Sequence, residues 1–161
     1  MWAAAEALPV PVDRRQSTRA LAICAGTRRL LAGHGIATVT EFTLASGRRA
    51  DILGLGRDGC LWIVEVKSSH ADFRADAKWP EYRDFCDRFF FAVGEDFGTE
   101  RLPEDAGLIV ADGFGAAILR EGPEHRLAGA RRKAVTLGFA HAAANRHHAL
   151  VDPAGAQGWM D

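Results

Sequence analysis

Residues 50–68 read ADILGLGRDGCLWIVEVKS, two apolar runs joined by Arg57-Asp58-Gly59. This pattern predicts a β-hairpin, and the loop length sets its register. With a three-residue loop, Gly56 pairs with Cys60, Leu55 with Leu61 and Leu53 with Ile63, so Asp51 lies opposite Glu65. Directly opposed residues have Cβ atoms about 4.5–5.5 Å apart. A two-residue Asp58-Gly59 turn slips the pairing by one and moves Asp51 to the other face, opposite Val66. Leu53 and Leu55 decide for the first register, because they then share the face of Ile63 and Leu61.

Along the second strand, Leu61, Ile63, Glu65 and Lys67 share one face and Cys60, Trp62, Val64 and Val66 the other. Both faces are apolar as far as Val64, as in a strand covered on both sides. An ion pair without partners at that depth is expensive. The acid and the ammonium therefore mark a place where a buried strand surfaces into a pocket, and Asp51, Glu65 and Lys67 form one cluster on its wall.

Outward from the hairpin, RQSTRALAICAGTRRLLAGHG (residues 15–35) carries apolar residues at helical spacing and stops at Gly33 to Gly35. IATVTEFTLA (36–45) alternates, with Ile36, Thr38, Thr40, Phe42 and Leu44 on one side. DAKWPEYRDFCDRF (76–89) reads as a helix with Pro80 at its first position and Tyr82, Phe85 and Phe89 in a stripe. RFFFAVG is a buried strand, GLIVAD and AAILRE form a hairpin about Gly113-Phe114-Gly115, and LAGARRKAVTLGFAHAAANRHHAL is a last long helix. The order predicts an α/β fold, a mixed β-sheet flanked by helices on both faces. Residues 1–13 read as a flexible N-terminal arm, 14–152 as a single domain and 153–161 as a C-terminal tail.

At 161 residues with nearly half of them apolar, the chain is long enough for one well-formed core. No apolar run reaches membrane-spanning length, and the N-terminus lacks the basic start of a secretory signal. Cys24, Cys60 and Cys86 are widely spaced and without a CxxC pair, which fits free thiols in a reducing cytoplasm. None of the six histidines has zinc-ligand spacing with a cysteine. A net charge of −1 excludes a whole-surface polycation but leaves room for local basic patches. Arginines crowd the first third of the chain, Arg131, Arg132 and Lys133 form a second cluster, and Arg146, His147 and His148 a third.

Two facing carboxylates repel unless a proton or a cation sits between them. Few hard oxygens, with the carbonyl of Val66 as a third donor, suit Mg²⁺ or Mn²⁺ held by Asp51 and Glu65. Lys67 then stands beside a metal-bound water, placed to orient it, help remove its proton or stabilise charge on a phosphorane. These are the parts that phosphodiester hydrolysis needs.

Asp51 followed at a distance by Glu65-Val66-Lys67 resembles the signature of the PD-(D/E)XK nuclease superfamily, the restriction-endonuclease-like fold. RRADILGL together with EVKSSHADFRADAKWPEYRDFCDRFFFAV also resembles the narrower MmcB family of bacterial DNA repair proteins, over most of the chain. The resemblance implies a metal-dependent DNA endonuclease (deoxyribonuclease) in repair of damaged or crosslinked DNA, with 5′-phosphate products. The chain departs from the superfamily pattern at Ala50, where the name carries proline, and in having no glutamate on its first helix.

Further candidates surround the cluster. Glu41 is an outer-shell ligand or a surface acid. Ser68, Ser69, Lys78 and Tyr82, with Gln16, Arg19, Arg48 and Arg49, are possible DNA contacts, of the kind that fixes position without reading sequence. The expected partner is DNA, with a homodimer or a repair protein as further possibilities and no membrane. Three rivals stand beside the nuclease: a DNA- or partner-binding module of the same fold with weak or no cleavage, a nuclease acting on RNA, and an α/β protein without a nucleic-acid role.

Overall fold

The computed structural model describes residues 17–155. The arm assigned to 1–13, Gln16, and the end of the C-terminal tail lie outside the described residues. Helix α1 (Thr18–Gly33) begins at Ser17, whose hydroxyl accepts the Ala20 N–H at 3.1 Å. A cap of this kind is worth about 1 kcal/mol.

Six strands follow: β1 (Ala37–Thr43), β2 (Arg49–Leu55), β3 (Leu61–Lys67), β4 (Arg88–Val93), β5 (Gly107–Ala111) and β6 (Ala116–Arg120). They form one mixed sheet in chain order, antiparallel from β1 to β3, parallel from β3 to β5 and antiparallel again at β6. The parallel step from β3 to β4 needs a crossover. It consists of helix α2 (His70–Ala75) and a 3₁₀ segment, Trp79–Phe85.

This differs from the single helix expected over 76–89. Pro80 falls at the second position of the 3₁₀ segment, and Trp79, Tyr82 and Phe85 recur every third residue, the 3₁₀ period. Tyr82 and Phe85 are buried against the sheet and Trp79 is half-buried, with Trp79 and Tyr82 stacked on Phe89 at 5.3 and 5.8 Å.

Helices cover both faces. α1 packs with Ile52, Val64, Val66 and Phe90 on one face. On the other, helix α3 (Gly129–Val151) and the 3₁₀ segment pack with Leu53, Leu61, Ile63, Phe89 and Phe91. Two glycines allow these layers to close. A Cβ at Gly26 would stand 2.1 Å from the Asp112 carbonyl oxygen, so α1 meets the β5–β6 hairpin only without a side chain there. A Cβ at Gly138, in the interior of α3, would stand 3.0 Å from the ring of Phe42.

The last helix is tied to the sheet by one buried acid. Asp87 is 2% exposed, and Arg132 donates to both its carboxylate oxygens at 2.6 Å. The same oxygens accept the N–H groups of Leu61 and Leu127 at 2.8 and 2.9 Å. Although burial alone pushes the Asp87 carboxyl up, Arg132 and the two backbone donors more than offset it and hold it below the usual range. Arg132, grouped in the sequence with a basic cluster, is thus a structural cation.

The hairpin register is the one set by a three-residue loop: Leu55 pairs with Leu61, Leu53 with Ile63, and the Gly56 N–H donates to the Cys60 carbonyl at 2.9 Å. β1 departs from simple alternation. Glu41 has φ +51, and the strand changes faces there. Thr38 meets Arg28 of α1, whereas Phe42 and Leu44 pack with the α3 side. The five residues expected on one side are therefore divided between two.

Candidate active site

β2 and β3 pair regularly up to Ile52 and Val64 and then part. The next rung would join Asp51 to Glu65, and there side chains replace the ladder. The Asp51 N–H donates to Glu65 Oε1 at 3.1 Å, and the Val66 N–H donates to Asp51 Oδ2 at 2.8 Å. The two acids thus hold the fork open while satisfying backbone donors that the lost rungs would leave bare. Asp51 Oδ1 and Glu65 Oε2 remain outside these bonds.

The fork opens into a cleft of ≈ 660 Å³. Its floor holds Asp51, Glu65, Val66 and Lys67, β1 contributes Glu41, and α1 closes it with Cys24 and Arg28. Burial pushes both acids up. Glu65, 4% exposed and facing the charge of Asp51, is pushed up to about 8, and Asp51 moves in the same direction.

Burial pulls the Lys67 ammonium down, but Asp76 outweighs it and the net shift is upward. Lys67 Nζ donates to Asp76 Oδ2 at 2.8 Å and stands 4.0 Å from Glu65 Oε2. The lysine is held as a cation. Asp76 ends α2 and also lies 3.8 Å from Arg48. Asp76 is not among the site residues expected from the sequence, since its pairing with Lys67 arises only when the crossover folds.

The surrounding candidates divide. Arg49 pairs with Glu41 at 3.1 Å and both line the cleft. Arg48 donates to Glu81 at 2.8 Å and lies over the Tyr82 ring at 5.3 Å. Tyr82 is buried and its hydroxyl donates to the Arg49 carbonyl at 3.0 Å, which makes it a brace for β2 instead of a solvent-facing group. Ser68 lines the cleft. Ser69 caps α2, accepting the Asp72 N–H, while the Asp72 carboxylate accepts the Ser68 N–H. Lys78 is exposed at the start of the 3₁₀ segment, and Arg19 pairs with Asp96. Gln16 lies outside the described residues. A second cleft of ≈ 620 Å³ opens at the turn end of the hairpin, beside Arg57, Cys60 and Trp62, and is lined by none of the candidate catalytic, metal or DNA-contact residues.

A family model described as DNA repair protein MmcB-like matches residues 8–154. The chain belongs to the MmcB-like family of DNA repair proteins. The MmcB-like match takes in every described strand and helix. Among solved structures, the MmcB-like chain is similar to the SPO1766 protein of unknown function from Silicibacter pomeroyi, at 45% identity and a TM-score of 0.83. That match covers 93% of this chain and all of the other. No curated protein matches it.

Proposed function

We propose that the protein is a divalent-metal-dependent DNA endonuclease acting in DNA repair, built on the PD-(D/E)XK plan. The observation that carries this reading is the fork, where Asp51 and Glu65 face each other with one oxygen each to spare. Burial raises the proton affinity of both acids, the charge of Asp51 adds to the rise at Glu65, and a cation bound between them would offset both effects. Val66 supports the set. In a strand, N–H and C=O of one residue point to the same side, and the Val66 N–H points to Asp51. Mg²⁺ is commonly held by one or two carboxylates plus water and substrate phosphate, so this small donor set fits Mg²⁺ or Mn²⁺.

When bound there, the metal would supply Lewis acidity and an acidified water. Lys67 serves as the positive charge beside the reacting phosphate, since Asp76 keeps it protonated. That leaves proton removal from the attacking water to another group. Asp51 and Glu65 orient the reacting centre, and the wall formed by α1 restricts access to one side of the cleft.

The test is a nicking assay in Mg²⁺ and in Mn²⁺ on duplex, single-stranded, flap and branched DNA, with RNA alongside. Wild type should nick DNA in at least one metal, and Asp51→Ala, Glu65→Ala and Lys67→Ala should each abolish it. Nicking that survives all three substitutions removes the site from consideration.

A binding module of the same fold is the second reading. It is favoured by the engagement of Lys67 Nζ with Asp76 at 2.8 Å, which ties the lysine to the protein instead of to an attacking water. It expects DNA retention unchanged by Lys67→Ala and no nicking in either metal.

A further inference from the structure

Helix α3 is longer than its packing requires. Only Val135 and Phe139 are buried, and every residue from Ala144 to Val151 is exposed. A helix of 23 residues runs about 34 Å, whereas a seven-residue strand spans about 23 Å. α3 begins near the β2–β3 turn, where Arg132 donates to the Gly59 carbonyl at 2.8 Å. It reaches the cleft end of β1, where Arg146 donates to the Glu41 carbonyl at 3.4 Å, and then continues past the sheet.

The charge on this helix is one-sided. It carries Arg131, Arg132, Lys133 and Arg146 with three histidines and no Asp or Glu. The chain as a whole has 20 Lys and Arg against 21 Asp and Glu. α1 is equally free of acids and brings Arg28 to the opposite side of β1, with Nε donating to Thr38 Oγ1 at 3.1 Å. An edge strand thus leads to the cleft with an arginine from an acid-free helix on either side. The nearest acid to the projecting end is Asp152, 4.0 Å from His148.

We infer that the exposed end of α3 and the β1 edge form a track for the DNA sugar–phosphate backbone, with Arg146 as its contact beside the cleft. This rests on the proposal that DNA is the substrate and names a surface beyond the reacting groups. An arginine has five donors in a planar fork, and Glu41 takes one direction of that fork, which leaves the rest for a phosphate. Phosphate contacts fix the register of a strand without reading its bases. A track of this kind feeds any sequence to the fork.

The test is binding of a labelled DNA duplex, by fluorescence anisotropy in EDTA across a salt series. Each phosphate contact contributes about 0.9 to the log–log salt slope. Arg146→Ala should lower the slope by about 0.9 and weaken binding on unrelated sequences, while its thermal melting stays that of wild type. Arg146→Lys should restore the slope. Arg126→Ala, before α3 and away from the cleft, should leave it unchanged. A wild-type slope in Arg146→Ala, an equal loss in Arg126→Ala, or no salt-sensitive DNA binding by wild type each overturns the track. Salt-sensitive binding that depends on Arg146 without nicking in any metal overturns the nuclease reading alone.

Discussion

The backbone N–H of Asp51 donates to Oε1 of Glu65 at 3.1 Å, across two strands that have just ceased to pair. Glu65 stands near 8 against an ordinary 4.5. Between those values the folded protein holds a proton that the unfolded chain releases, so stability falls as pH rises from about 4.5 to about 8. Glu65→Gln should remove that slope, a change on the order of a few kcal/mol. Thermal melts of metal-free protein across the range measure it. Mn²⁺ added at the upper end should raise the wild-type melting temperature and leave that of Glu65→Gln where it was.

Lys67 is held by Asp76, and removing that acid should cost chemistry more than binding. Asp76→Asn should lower the nicking rate by about 10²-fold, the scale of losing one preorganised electrostatic group. Its DNA affinity should stay close to that of wild type. Single-turnover rates beside equilibrium binding separate the two, and an equal fall in both would make Asp76 a structural residue only.

Asp87 joins α3 to β3 and β4 through Arg132 and two backbone donors. Asp87→Asn should cost about 3 kcal/mol, as for a buried pair with one partner removed, and lower the melting temperature by roughly 6–12 °C. The native carboxyl is held below its ordinary 3.8. Its contribution is therefore present above that value and lost as pH falls through the depressed one. Calorimetry on the acid side should show a shallower loss in the mutant.

Gly26→Ala tests the contact between α1 and the β5–β6 hairpin. Alanine is the better helix former by about 1 kcal/mol. Its Cβ would nonetheless meet the carbonyl oxygens of Asp112 and Gly115 at 2.1 and 2.4 Å, both of them backbone atoms. The net result should be a loss of about 1–3 kcal/mol in denaturant unfolding.

The hairpin was legible because its loop residues and the faces of four leucine and isoleucine side chains admit one register. The mixed sheet followed from strand and helix order. What escaped the sequence is local or tertiary. α2 has six residues and buries none of them, so it leaves no periodic signal. Trp79, Tyr82 and Phe85 fit the apolar stripe of either helix type, and only their strict spacing of three favours 3₁₀. The φ of Glu41 reverses the face of β1, and nothing in VTEFT announces it. Within the site, Asp51, Glu65 and Lys67 follow from alternation and register, whereas Asp76 reaches Lys67 only through the folding of the crossover.

The fork has a consequence for observing the protein at work. The amide hydrogens of Asp51 and Val66 are guarded by carboxylates where their neighbours are guarded by the ladder. Their exchange with deuterated solvent should therefore respond to whatever occupies or protonates those acids, while Ile52 and Val64, one rung away, stay silent. Two adjacent pairs of amides serve as a built-in gauge of the reaction centre and its reference.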